Sequence, residues 1–398
     1  MLGSTGSRGS ALCVSPRCPN LRKAMECITL TSSLGKLLDW CMKQAATDLH
    51  AQAGRRYSFR VDGKLQRIPP DQFPAPTNDD IVKMLRDAFS SSICDRIEKQ
   101  HEMDLSFLCS NSRYRANFSK QQGAQSFSFR VVPQRIPKLD DLQLPATVAD
   151  LIKEPRGLLL VTGASGQGKS TTACALLQRL NETLALRIIT IEDPIEYLFI
   201  EDQCQFEQRE VGVDTASFAE AIRNAVRQDP EVIFIGEIRD RETVQTAMQA
   251  AETGHLVLAT LHADSVPQTL DRIREFHPAS EQDNASTLLA RSLNAIICQR
   301  LIPGTLNRRI PCLEIMRRNA GTQDAIARND LRLLTSIIEA SVNEGMHSSD
   351  QHLMQLLKNR CVTSETARYY AVNWNRLEME MRGYSSSMPG ILKPDIER

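Results

Sequence analysis

No apolar run in this chain approaches the roughly 18 consecutive residues that a membrane-crossing helix needs. The Gly/Ser/Arg-rich start carries no apolar stretch of the kind a signal peptide has. Cys-x-x-Cys pairs are missing too: eleven cysteines are scattered, and the nearest two, Cys13 and Cys18, face no second pair. That argues against a disulfide framework or a zinc knuckle and for free thiols in a reducing cytoplasm. Net charge is absent, with 48 Lys and Arg against 48 Asp and Glu, so no global field points to nucleic acid or anionic lipid. There is no internal repeat and no aromatic-basic stripe, and no nucleic-acid partner is expected.

What is present divides along the chain. Its 398 residues suffice for two domains. Residues 1–27 have the composition of a disordered extension, and Met25 reads as an alternative start. From 28 to 136 an α+β pattern is expected, with a helix over 34–46, a strand and turn over 57–63, a helix over about 79–100 and strands near 104–107, 114–118 and 126–132. Three prolines between Pro133 and Pro145 mark a linker, placed at 137–147. From 148 to 375 short apolar strands alternate with helical segments, the pattern of a doubly wound parallel sheet with a helical C-terminal part. A polar tail is expected over 376–398.

The strongest local signal is Gly163-Ala164-Ser165-Gly166-Gln167-Gly168-Lys169-Ser170, a complete G-x-x-x-x-G-K-S phosphate loop followed by Thr171. Before it runs the buried-strand pattern of 157–162, and after it a helix-period segment over 171–180. A strand-loop-helix of this kind wraps backbone N–H groups around a triphosphate and adds the positive end of the helix. ATP is the expected ligand, with Lys169, read as an exposed loop charge, on the β/γ oxygens and the Ser170 hydroxyl on Mg²⁺.

Ligands of open α/β sheets lie beyond the carboxyl ends of the strands. The expected strand 187–191 ends in Glu192-Asp193-Pro194-Ile195-Glu196, the strand 232–236 in Glu237, and the strand 256–261 in His262. Glu196 is the candidate base and Glu237 the candidate metal-side carboxylate, with His262 beside them. The spare cations are Arg223, Arg227 and Arg239, with Arg115 and Arg130 in the first domain. An acid after a strand also serves as a helix N-cap, a strand-end histidine as a structural group, and a surface arginine as a solvated charge. Both readings stay open at this point.

The strings Ile191–Tyr197, Asn224–Pro230, Gly236–Asp240, Ala250–His255 and Thr260–His262 together resemble the secretion-type AAA-like ATPases, and within them the type IV pilus retraction (PilT) family. The likeness extends to Ala46–His50, Arg60–Gly63, Arg113–Asn117 and Phe129–Pro133, and covers about 28 to 370. It implies a PAS-like N-terminal domain and a RecA-like P-loop motor domain, assembled as a homohexamer. It implies Glu196 as catalytic glutamate, Glu237 as the Walker B glutamate, His255 and His262 as the His box, and Arg115 and Arg130 as arginines that approach the phosphates. The partners it implies are an inner-membrane pilus platform protein and another retraction or assembly ATPase, at the cytoplasmic membrane face. Two departures stand out. The family's A-I-R-N-L-I-R motif is not preserved in Ala320–Arg328, and its Gly-Ser-Gly is Gly166-Gln167-Gly168 here. The tetracysteine motif of extension motors is missing. Retraction is favoured, with a type IV secretion or conjugation ATPase and a weakly hydrolysing accessory ring subunit as the alternatives.

Overall fold

The computed structural model describes residues 26–61, 63–110, 112–132, 135–305 and 308–382. Most of the expected N-terminal extension, with Cys13 and Cys18, and the tail from 383 lie outside the described residues. The chain divides into two compact units, Met1–Arg135 and Ile136–Arg398.

Unit 1 contains β1 (Cys27–Ile28), α1 (Ser33–Lys43), β2 (Asp48–Gln52), β3 (Ser58–Val61), β4 (Lys64–Arg67), α2 (Asn78–Ala88), α3 (Ser91–Lys99), β5 (Glu102–Cys109), β6 (Ser112–Gln121) and β7 (Ala124–Val132). The strands form one sheet in the order β1-β5-β6-β7-β2-β3-β4. All its pairings are antiparallel except β1 with β5. The chain is poor in aromatics, yet Phe89, Phe107, Phe118 and Phe129 meet edge to face in this core, with ring centroids 5.2–5.7 Å apart. The helix expected over 79–100 is two helices. Phe89 leaves helical geometry at φ −115°, ψ 160° and drives its ring into the core, and Ser90 opens α3. A Ser90-Ser91-Ser92 run favours a helix start over a helix interior.

Unit 2 contains α4 (Thr147–Asp150), β8 (Gly157–Thr162), α5 (Lys169–Thr183), β9 (Arg187–Glu192), β10 (Gln205–Glu210), α6 (Phe218–Ala225), β11 (Val232–Ile235), α7 (Arg241–Glu252), β12 (Leu256–Leu261), α8 (Val266–Glu275), α9 (Gln282–Ser292), β13 (Leu293–Pro303), β14 (Arg309–Arg317) and α10 (Ala320–Ala327). The helices α11 (Leu331–Ala340), α12 (Ser349–Lys358), α13 (Ser364–Tyr370) and α14 (Trp374–Met381) complete it. The sheet order is β10-β9-β11-β12-β8-β13-β14, parallel except for β13 with β14. Burial on both faces explains the unbroken apolar strands. Leu159 and Val161 face the α5 side with Ala173, Leu176 and Leu177. Leu158 and Leu160 face the opposite side, with α6, α7, α8 and α9. This is the doubly wound α/β fold that the sequence implied.

Four features differ from expectation. The edge strand β10 and the hairpin β13–β14 were not foreseen, and β14 occupies the start of a region read as helical. The stretch read as a linker carries a 3-10 turn at Leu139–Leu142, and Ile136 and Leu139 are buried with Val148, Leu151 and Leu177 in unit 2. The expected tail begins inside α14, where Leu377 is buried against Leu353 and Val362.

Candidate active site

The sheet register brings the carboxyl ends of β8, β9, β11 and β12 to one rim, because Leu261 pairs with Thr162 and Ile235 with both Ile191 and Ala259. The phosphate loop leaves β8 there and enters α5. Its glycines are required by the backbone. Gly163 sits at φ 145°, and a Cβ on it would lie 2.3 Å from the Gln299 carbonyl oxygen of β13. Gly168 is left-handed at φ 82°, where a Cβ would lie 2.8 Å from the Gln299 side chain. Gly168 is the N-cap of α5 and brings no side chain to cap it. The N–H groups of the first turn are therefore left for an anion.

Lys169 is not the exposed loop charge that the sequence suggested. It is only 7% exposed. Its Nζ donates to the Gly163 and Ala164 carbonyls at 2.9 and 3.1 Å and lies 3.2 Å from His262 Nδ1. Burial lowers its pKa, partly countered by the negative charges of Glu237 and Glu196. The ammonium is held at the loop by hydrogen bonds to neutral groups, which leaves its charge available to an anion there. Thr171 and Tyr197 hydroxyls are 3.2 Å apart, and Thr172 donates to Gln299 Oε1 at 2.8 Å. Gln299 Nε2 donates to the Gln167 carbonyl at 2.7 Å, and Gln167 Oε1 accepts the Leu301 N–H at 2.6 Å.

Glu237 is the hub of the rim. Its Oε1 lies 2.9 Å from His262 Nε2 and its Oε2 accepts from Arg239 at 2.9 Å. Arg239 also reaches Asp193 at 3.0 Å, and the Glu237 hydrogen bond holds the guanidinium pKa above its usual value. Arg239 is thus a paired cation rather than a spare one. Arg223 pairs with Glu242 at 2.7 Å. Arg227 lines a shallow polar groove of about 670 Å³ with Glu207 and Arg209 along β10 and α6. His255 stands at the amino end of β12, its Nδ1 3.0 Å from the Ala250 carbonyl, a whole strand away from His262. Ser165 and Gly166 lie in the loop, and Ser170 lies in the first turn of α5.

An open cleft of about 610 Å³ lies against the loop. Lys169, Ser170, Thr171 and Glu196 face it, with Leu142, Leu301, Arg308 and Arg309 along its walls. Sequence reasoning missed Gln299, Arg308 and Arg309, which come from the unforeseen β13–β14 hairpin and the turn between its strands. The short apolar runs Ala295–Cys298 and Leu301–Ile302, on either side of Gln299-Arg300, were the available signal.

In unit 1 the two expected arginines meet. Arg115 of β6 and Arg130 of β7 are cross-strand partners, and Arg130 is in turn opposite Asp48 of β2. Arg130 Nε donates to Asp48 Oδ1 at 2.7 Å, and Thr47 donates to Oδ2 at 2.8 Å. Burial alone would raise the Asp48 carboxyl, but these hydrogen bonds hold it below the usual range. Arg60 of β3 follows in the same row, opposite Asp48.

Residues 25–384 match the type II/IV secretion system protein family. This chain belongs to that family. It is 36% identical to the type IV pilus retraction ATPase PilT of Pseudomonas aeruginosa, with 84% of this chain and 96% of that protein covered. The type IV pilus ATPase PilU of the same organism is 33% identical, with 88% and 92% covered. A crystal structure of the pilus retraction motor PilT with bound ADP superposes with a TM-score of 0.80 and 36% identity, covering 87% of this chain and 99% of that one. The chain is a PilT-like secretion ATPase, and the fold of its motor unit is the RecA-like one. No helix among the described residues is long and apolar enough to cross a membrane.

Proposed function

We propose that this chain is an ATP-hydrolysing motor that powers type IV pilus retraction. The observation that carries the reading is Lys169, desolvated against the loop carbonyls and flanked by Glu196 and Glu237 at the strand ends. The residues fit a nucleotide. Gly163 and Gly168 leave no room for a Cβ, the first turn of α5 has no side-chain cap, and the adjoining cleft holds hydroxyls and cations. Residues 163–171 would hold the phosphates, with Ser170 and Glu237 on Mg²⁺. Bound there, the metal would supply charge neutralisation for the phosphates.

Glu196 orients the attacking water and accepts its proton. Glu237 is held by His262 and Arg239, so its carboxylate stays fixed as charge develops. Arg115 and Arg130, cross-strand partners in unit 1, are the arginines assigned to offset the transition-state charge. Relatives by name retract pili, which favours a hexameric ring acting on an inner-membrane platform protein from the cytoplasmic face. Phosphate release by the full chain, with and without Glu196→Gln, tests the reading. Loss of hydrolysis with retained nucleotide binding supports it, and undiminished turnover sinks it.

A further inference from the structure

Glu192 ends β9 and is buried, 3% exposed. Three donors converge on its carboxylate. Thr190 Oγ1 donates to Oε1 at 2.7 Å, Gln208 Nε2 to Oε1 at 3.2 Å, and the Glu196 backbone N–H to Oε2 at 3.2 Å. Gln208, on the edge strand β10, also donates to the Tyr197 carbonyl at 2.9 Å and accepts the Phe199 N–H at 3.0 Å. The Tyr197 hydroxyl then reaches Thr171 in the first turn of α5, 3.2 Å away. The segment bearing Glu196 is therefore tied at successive points to Glu192, Gln208 and the phosphate-loop helix, while its Ile195 N–H donates to Glu210 Oε2 at 3.2 Å and Asp193 pairs with Arg239.

We infer that Glu192 is a positioning residue, whose buried carboxylate fixes the backbone at Glu196 and so aims the Glu196 side chain at its water. This rests on the reading of Glu196 as the base. A carboxylate is needed because all three partners are donors. Glutamine has the same shape but turns one oxygen into a donor, which then faces a donor inside the core. Burial pushes the Glu192 carboxyl up to about 7, against the three hydrogen bonds that favour its charged form. The site tolerates little other change, since a Cβ on Gly236 would sit 3.2 Å from the Glu192 Cα.

The test uses the full chain, steady-state phosphate release and binding of a fluorescent ADP analogue. Glu192→Gln should lower kcat about a hundredfold by misplacing the base, with KM and the ADP analogue's Kd within about threefold of wild type. In the Glu196→Gln background the same substitution should cost nothing further, because there is no longer a base to aim. A kcat within about threefold of wild type, or a full second loss in the Glu196→Gln background, overturns the inference. Should Glu192→Gln fail to fold, Glu192→Asp keeps the charge but, one methylene shorter, withdraws the carboxylate from the Glu196 N–H. It should lower kcat without moving KM, and an unchanged kcat would overturn the inference. Wild-type turnover in Glu196→Gln alone overturns the base reading, and is told apart because the Glu192 variant plays no part in it.

Discussion

His262 Nε2 lies 2.9 Å from Glu237 Oε1, while the other ring nitrogen of His262 lies 3.2 Å from the Lys169 ammonium. The imidazole therefore bridges the Lys169 ammonium and the Glu237 carboxylate, linking the ends of β11 and β12 to the phosphate loop.

Gly163→Ala should remove nucleotide binding and cost about 1–3 kcal/mol. Its Cβ would meet the Gln299 carbonyl of β13, which is backbone inside a central strand, at 2.3 Å. Lys169→Ala should abolish hydrolysis with the melting transition retained, because water from the cleft can replace the ammonium at the two loop carbonyls. Equilibrium binding and circular dichroism on both variants check this, and tight nucleotide binding by Gly163→Ala is the contrary result.

Glu196→Gln and Glu237→Gln should differ in kind. Loss of the base should slow hydrolysis by about 10²–10⁴ with Mg-ATP still bound. Loss of the Glu237 carboxylate should raise the Mg²⁺ concentration for half-maximal rate, because His262 and Arg239 then hold a neutral amide. Rate against Mg²⁺ concentration separates the two, and equal modest losses would mean that the roles are misassigned.

Asp48→Asn should act through Arg130. The carboxylate fixes Nε at 2.7 Å and aligns the guanidinium beside Arg115. The variant should lower kcat in the same direction as Arg130→Ala, and by less. Because Arg130 is 69% exposed, the ion pair itself should contribute under about 1 kcal/mol to stability. Turnover and melting measured together check the split between a small stability loss and a larger rate loss.

Glu314 gives a pH prediction. Its carboxyl is buried beneath α8, accepts the Val266 N–H at 2.8 Å, and is pushed by burial from 4.5 to about 7. A folded-state pKa above the unfolded one means that stability is full below about 4.5 and declines as pH rises towards 7. Over that window wild type should lose up to about 3 kcal/mol relative to Glu314→Gln. Parallel denaturation curves for the two proteins at several pH values would expose the wrong sign or a flat difference.

Motor-unit strands were legible because two-sided burial leaves runs such as Leu158–Val161 and Val232–Ile235 wholly apolar. The phosphate loop was legible because its glycines and lysine recur at a fixed local spacing between a strand and a helix. The edge strand β10 was not, since Gln205-Phe206-Glu207-Gln208-Arg209-Glu210 is half solvated and reads as loop. Nor was the burial of Lys169, which follows from how β13 and its Gln299 close over the loop, a long-range pairing that local pattern does not encode. The Asp48–Arg130 pair spans 82 residues and exists only through strand register.

Gln167, where the family carries serine, makes the phosphate loop report on itself. Its side chain takes up the Leu301 amide hydrogen, and that amide has its hydrogen-bond partner in the loop rather than in a neighbouring strand. Solvent exchange at one amide thus becomes a clock for loop opening, readable without nucleotide or label. The same bond tethers the phosphate loop to β13 of the C-terminal hairpin.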